Sequence, residues 1–365
     1  MHKILVLGSA TQDIFIMYEG AETLLLQSRK GPRSFLILEA GVKADVQKLF
    51  YATGGGATNT AVCFKRLGFD ALACFKIGTE PAGEFIAQGL QKENIDLSHI
   101  IISPTTETAL SFIVPTPEKD YTALCYRGAN THLTLHDIPF ESLPTYQYTY
   151  ITSLSGSSAQ LLPKIAKKAK ELGILVATNP GTKQITSERS ELFEALPFID
   201  ILILNAYEAR LLMETMLNRT GIHNATSSLD ASLPPLLYSF MMYKEVQLSL
   251  FDYFKALLSL GPRIVVVTDG IHGVYVGTPH TVYFHPSIIT QVSTALGAGD
   301  AFGSTFVGSL ILGTSLEKAL VYGVVNASSV ISHLDAKTGL LSLPELEALA
   351  SKIELTRLQR FELYN

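Results

Sequence analysis

From Tyr148 onward the chain repeats one pattern: a short, continuously apolar run followed by a longer segment that reads as a helix. Residues 150–154, 174–178, 199–204 and 263–268 read as strands, with a helix over 158–172 that Gly173 closes. Strands with no polar alternation are buried on both faces. Such strands separated by helices predict a doubly wound, mainly parallel α/β sheet covered by helices on both sides. The runs 4–7 and 71–77 belong to the same sheet, and 84–93 reads as a helix. Ligands of such sheets bind beyond the carboxyl ends of the strands. Asp13, Asn205, Asp269 and the turn 297–300 follow predicted strand ends, so the pattern places them on one rim.

Two regions depart from the alternation. Residues 109–114 and 121–126 read as a hairpin across Pro115-Thr116-Pro117-Glu118-Lys119-Asp120, and 14–52 reads as extended strands and turns. Together, about 14–52 and 104–127 predict a small β-sheet lid. Residues 218–246 carry Pro234-Pro235, and apolar residues recur at Leu237, Phe240, Met241, Leu248, Phe251 and Phe254. That spacing predicts helices, with Ser232 or a neighbour as N-cap and proline in the first turn.

Composition narrows the function classes. A hydrophobic fraction of 47% against 17% charged residues supplies a large core. The net charge of −5 comes without a long basic run, which argues against a nucleic-acid partner. No run approaches the ~18 apolar residues of a membrane helix. The N-terminal apolar run is too short for a secretory signal. Cys63, Cys74 and Cys125 are scattered, with no metal or redox spacing, so reduced thiols in the cytoplasm are expected.

Two glycine-rich turns point to chemistry. Gly54-Gly55-Gly56-Ala57-Thr58-Asn59 leads into a helix over 60–67 that Gly68 closes, and Gly297-Ala298-Gly299-Asp300 opens another. The first N–H groups of a helix lack intrahelical partners and carry the positive end of its dipole. Glycine lets a ligand approach that backbone closely. An anion cradle beside a carboxylate suits phosphoryl transfer to a hydroxyl. Other nucleotide motifs fit poorly: Asn59 and Phe302 stand where a dinucleotide fingerprint needs its third glycine, and no G-x-x-x-x-G-K-[ST] occurs.

Three further features join the turns: Gly8-Ser9 followed by Asp13, the Asn205-x-x-Glu208 pair, and Thr268-Asp269-Gly270 after Val265-Val266-Val267. In this order, from about residue 3 to 342, they resemble the signatures of the ribokinase-like carbohydrate kinases, the PfkB family. The resemblance implies a ribokinase-like fold, one kinase domain over 1–365, and an insertion at about 218–246. It implies ATP-dependent phosphorylation of a primary hydroxyl of a sugar, as in ribokinase or fructokinase. A nucleoside kinase is the alternative, and a non-catalytic sugar or nucleotide sensor stands outside the enzymes.

By the same resemblance Asp300 is the catalytic base, and Gly297, Ala298 and Gly299 supply N–H groups to the moving phosphoryl group. Asp13, Gly55, Gly56, Asn59 and Arg127 fall on the substrate side. Asn205 and Glu208 position Mg²⁺ and the ATP phosphates, with Glu208 acting through water. Thr268, Gly270, Gly273, Asn326 and Ala327 fall on the nucleotide side. Two departures stand out. Thr294 replaces the aspartate that helps many relatives hold a monovalent cation, which puts such activation in doubt, and Gly78-Thr79-Glu80 replaces the usual G-x-D. A homodimer through the lid strands is expected, because a small exposed sheet has edges to protect.

Overall fold

The computed structural model describes residues 2–28, 31–116, 120–186, 190–220, 232–238, 241–243, 246–288, 290–353 and 357–363. Its strands are β1 Lys3–Leu7, β2 Thr11–Met17, β3 Glu22–Ser28, β4 Gly31–Ile37, β5 Lys48–Gly54, β6 Asp70–Ile77, β7 Ile100–Ile102, β8 Ala109–Pro115 and β9 Tyr121–Tyr126. They continue with β10 Tyr148–Ile151, β11 Leu175–Thr178, β12 Ile201–Asn205, β13 Met241–Tyr243, β14 Val246–Leu248, β15 Ile264–Thr268, β16 Val274–Gly277, β17 Thr281–His285 and β18 Gln359–Glu362.

Ten strands form the main sheet, in the order β18-β17-β16-β15-β12-β11-β10-β1-β6-β7. Pairing is parallel from β7 to β15 and antiparallel from β15 to β18. Alternate residues of each strand feed opposite faces, as a period of two requires. Leu5, Leu7, Leu202, Leu204, Val265 and Val267 enter one core, whereas Ile4, Val6, Ile201, Ile203 and Val266 enter the other. The helices Leu162–Glu171, Ala206–Thr220 and Leu250–Ser259 contribute to the first core. Gly56–Arg66, Ala298–Ile311 and Leu316–Val330 contribute to the second. Both glycine turns therefore open helices on the same face of the sheet.

A four-stranded sheet, β5-β2-β8-β9, forms the small lid, and β3-β4 is a separate hairpin. The lid has its own buried apolar cluster of Phe15, Ala52 and Ile113. Leu296 and Leu334, from loops beside the Ala298–Ile311 helix, pack against that cluster. Asp13 lies within lid strand β2, opposite Ala52 and Ser111, instead of in a loop beyond a strand end of the main sheet. The predicted β8–β9 hairpin is present, with its connecting residues 117–119 outside the described set.

The segment 218–246 departs from its helical expectation. Pro235 does open a short helix, Pro235–Tyr238, but β13 and β14 then form an antiparallel hairpin. Helix returns only at Leu250–Ser259, where Ser249 Oγ accepts from Asp252 N at 3.1 Å as N-cap. Residues 221–231 lie outside the described set. Among the described residues no helix is long and apolar enough to cross a membrane. All three cysteines are free thiols.

Candidate active site

Glycine shapes both turns for physical reasons. Gly55 is the N-cap of Gly56–Arg66 at φ 92°, and a Cβ there would lie 2.5 Å from the Ser9 carbonyl. Gly297 is the N-cap of Ala298–Ile311 at φ 79°, and its Cβ would lie 2.4 Å from Ala336 Cβ. Neither position accepts a side chain without strain. Gly54 leaves room for a neighbour, since a Cβ on it would fall 1.9 Å from Asp13 Oδ2. Gly54→Ala is expected to displace the Asp13 carboxylate and, where Asp13 holds the acceptor as the resemblance implies, to raise KM for it while Kd for ATP stays unchanged. Calorimetric titration with ATP beside acceptor kinetics checks this, and an unchanged acceptor KM contradicts it.

The two turns meet through one hydrogen bond. Asn59 Nδ2, in the first helix, donates to Asp300 Oδ2, in the first turn of the second, at 2.8 Å. The other end of the same amide, Oδ1, accepts from Lys337 Nζ at 2.6 Å. Asn59, which the resemblance sets on the substrate side, gives one N–H to Asp300 and accepts at Oδ1 from Lys337, and its second N–H is not used by these bonds. It holds Asp300 and is held by Lys337.

Electrostatics follow from burial. Desolvation raises the Asp300 carboxyl, opposed by the Asn59 hydrogen bond and the Lys337 charge. Asp13, 6% exposed, is raised to about 6 by burial, against the pull of Lys337 and a hydrogen bond from Ser111. The native state therefore holds a proton on Asp13 between its ordinary 3.8 and about 6 where the unfolded chain has lost it. Folding stability from this group falls as pH rises through that window. A carboxylate perturbed in this way is a functional-site candidate.

At the other end, Asn205 N donates to Glu208 Oε2 at 2.9 Å and Glu208 N donates to Asn205 Oδ1 at 2.8 Å. This reciprocal pair caps the Ala206–Thr220 helix directly after β12. Burial pushes Glu208 up to about 7. A cavity of about 590 Å³ opens between β15, β16 and the Ala298–Ile311 and Leu316–Val330 helices. Thr268, Gly270, Gly273, Ala298, Gly299 and Ala327 line it, together with apolar Ile271, Val274, Ile288, Phe302 and Val324. Six of the predicted residues thus share one cavity. Asn326 does not: it is fully buried, donating to Thr305 Oγ1 at 2.6 Å and accepting from Leu341 N at 3.0 Å. Its neighbour in sequence faces the cavity, and Asn326 itself packs the helices together.

Arg127 is exposed after β9, just before the turn Gly128–Thr131. Asn130, not singled out from sequence, is buried in that turn together with Gly128 and Ala129. It accepts from Ala10 N at 3.0 Å and donates to Ala10 O at 2.9 Å, fixing the start of β2. Glu80, the variant acid of G-x-D, accepts from Thr108 N at 2.7 Å and so anchors the root of lid strand β8. Lys337 was missed altogether, because it belongs to no motif and follows a helix in an ordinary loop.

The comparisons agree with this architecture. Residues 1–342 match the family described as pfkB family carbohydrate kinase. The chain is 25% identical over 313 residues to the ATP-dependent ribose-1-phosphate kinase of Halopiger xanaduensis, covering 86% of this chain and 90% of that one. It is 25% identical over 347 residues to a ribokinase of Staphylococcus aureus, covering 95% and 98%. The fold matches that of a Burkholderia thailandensis nucleoside kinase in complex with inosine, with a TM-score of 0.72 at 16% identity over 96% of this chain and 98% of that one. With the mainly parallel sheet, the lid and the joined glycine turns in place, the chain belongs to the PfkB family and is an ATP-dependent carbohydrate kinase.

Proposed function

We propose that the protein transfers the γ-phosphoryl group of Mg·ATP to a primary hydroxyl of an unphosphorylated sugar. The Asn59–Asp300 hydrogen bond carries the reading, because it joins the turn beside Asp13 to the turn beside the nucleotide cavity. Asp13 accepts from two vicinal hydroxyls and orients the sugar. Asp300 takes the proton of the attacking hydroxyl, a step worth roughly 10²–10⁴-fold. The N–H groups of Gly297, Ala298 and Gly299 face the charge that builds on the transferred group. The apolar cavity takes the nucleotide base. The lid excludes water and limits wasteful ATP hydrolysis.

Magnesium fits the residues present. It binds through few carboxylates and keeps several waters. Glu208 offers a largely desolvated carboxylate beside the field of Asp300, with one oxygen engaged by the helix cap. When bound, Mg²⁺ would neutralise phosphate charge, with Glu208 and Asn205 holding its water shell.

Among the described residues, an unphosphorylated acceptor is favoured by the engagement of Lys337, the buried cation near Asp13 and Asp300. The three protons of Lys337 go to Thr53, Thr58 and Asn59, and Arg127 is exposed. Lys337 therefore has no proton left for a sugar phosphate. The second reading, a nucleoside kinase, is supported by Tyr121. Its phenol is raised by burial and by the Asp120, Asp13 and Asp300 charges, and it packs on the lid cluster of Phe15, Ala52 and Ile113, which puts an aromatic side chain on the lid within electrostatic reach of both carboxylates. A coupled ADP-release assay against ribose, fructose, other hexoses, adenosine, guanosine, inosine and cytidine decides between them. Turnover with a sugar is expected. Turnover with nucleosides alone replaces the first reading by the second, and no acceptor-dependent turnover overturns both.

Lid pairing between two subunits is part of the same proposal. Among the described residues the lid strands β5 and β9 are the edges of their sheet, and Leu49, Tyr51, Leu124 and Tyr126 on them are exposed, Leu124 by 66%. The β3–β4 hairpin adds exposed Leu24, Leu25, Leu26 and Ile37. Apolar edges of this extent call for a partner. Size-exclusion chromatography with light scattering is expected to give a dimer, and a monomer at all concentrations contradicts it.

A further inference from the structure

Lys337 is a buried cation that the proposed chemistry does not itself use. It is 8% exposed and lies in the loop after the Leu316–Val330 helix, three residues beyond Leu334. An ammonium has three protons and accepts nothing. One goes to the Thr53 carbonyl near the end of lid strand β5, one to Thr58 Oγ1 at 2.9 Å and one to Asn59 Oδ1 at 2.6 Å. No proton is left for a substrate, so any effect of Lys337 on the reaction passes through these partners.

An asparagine amide has two unlike ends. With Oδ1 fixed on the ammonium, Nδ2 is the end that faces Asp300, and it donates to Oδ2 at 2.8 Å. The reversed amide would set Nδ2 against the ammonium and two oxygens against each other. We infer, resting on the reading of Asp300 as the base, that Lys337 is a positioning residue. It fixes the polarity of the Asn59 amide, and through it the Asp300 carboxylate, and ties both to the end of lid strand β5.

Other groups around Lys337 fit this role. Asp13 from β2, Asp335 from its own loop, Asp300 and Glu93 all favour its charged form, against a burial that lowers it to about 8. Arg66 is paired with Glu93 at 2.6 Å and donates to the carbonyls of Lys337 at 2.9 Å and Leu340 at 2.7 Å, which pins the loop. Leu334 of the same loop packs on the lid cluster of Phe15, Ala52 and Ile113. The loop therefore touches the lid at Leu334 and the base, through Asn59, at Lys337. Around Asp300 itself lie the buried Cys63 and Tyr150, together with Glu208.

The test uses the full chain with Lys337→Met and Lys337→Gln, and Asp300→Asn in parallel. For Lys337→Met, kcat should fall roughly 10–100-fold, as for a misplaced catalytic group, with Kd for ATP unchanged by calorimetry. The acid limb of the kcat profile should move to higher pH, because the lost charge favoured the ionised form of Asp300. Lys337→Gln keeps a donor for Asn59 and should recover part of kcat without restoring the limb. A lower melting temperature with kcat and acid limb unchanged overturns the inference. So does failure of both variants to fold, which would assign Lys337 to structure alone. Loss of turnover in Asp300→Asn but not in Lys337→Met defeats the positioning role only, whereas turnover retained in Asp300→Asn defeats the reading on which it rests.

Discussion

Asp300→Asn is expected to lower kcat by roughly 10²–10⁴ while Kd for ATP stays the same. The substitution is isosteric, and its carbonyl end can still accept from Asn59 Nδ2, as Asp300 Oδ2 does at 2.8 Å. The helix cap and the glycine turn do not depend on the charge. What disappears is the group able to take a proton from the attacking hydroxyl. Burial, which raises the Asp300 carboxyl, brings its basicity closer to working pH, so this carboxylate is better placed as a base than an exposed one. Acceptor-dependent ADP release gives kcat, and calorimetry gives ATP binding. Near-wild-type kcat would remove Asp300 from the role.

Asp13→Asn is expected to lower kcat/KM for the acceptor by about 10–150-fold for each hydroxyl bond lost, with no change in Kd for ATP. The range follows from hydrogen bonds to a charged group, at about 1.5–3 kcal/mol each. The pH dependence has a definite sign. Burial raises Asp13 to about 6, so kcat/KM for wild type should fall as pH drops through about 6 and the carboxylate takes a proton. Asp13→Asn should lack this inflection and keep the limb belonging to Asp300. A substituted enzyme that retains both kcat/KM and the inflection would show that another residue binds the diol.

Much of the fold was legible because the chemistry of burial writes it locally. Strands covered on both faces need unbroken apolar runs, and 264–268 with its flanking residues reads that way at a glance. Helix ends were legible where glycine takes the left-handed conformation, as at Gly68 with φ 93°. The 241–248 hairpin was not legible, because its apolar residues also fit a helical spacing. At the site, the turns and Asp300 were readable as types of residue in a known order. Their roles toward one another were not. Asn59 meets Asp300 across 241 residues of sequence and Lys337 across 278, and no local pattern encodes such contacts. Asn326 and Ala327 are adjacent in sequence, yet only Ala327 lines the cavity, since neighbours on a helix point about 100° apart.

Phosphorylation of a primary hydroxyl is read directly by phosphorus NMR of the products. Wild-type enzyme with Mg·ATP and its acceptor should yield a phosphomonoester resonance split into a triplet by the two protons of a methylene group, absent with Asp300→Asn. A doublet would place the phosphate on a secondary or anomeric carbon, and inorganic phosphate alone would mean hydrolysis without transfer. Either result contradicts the account.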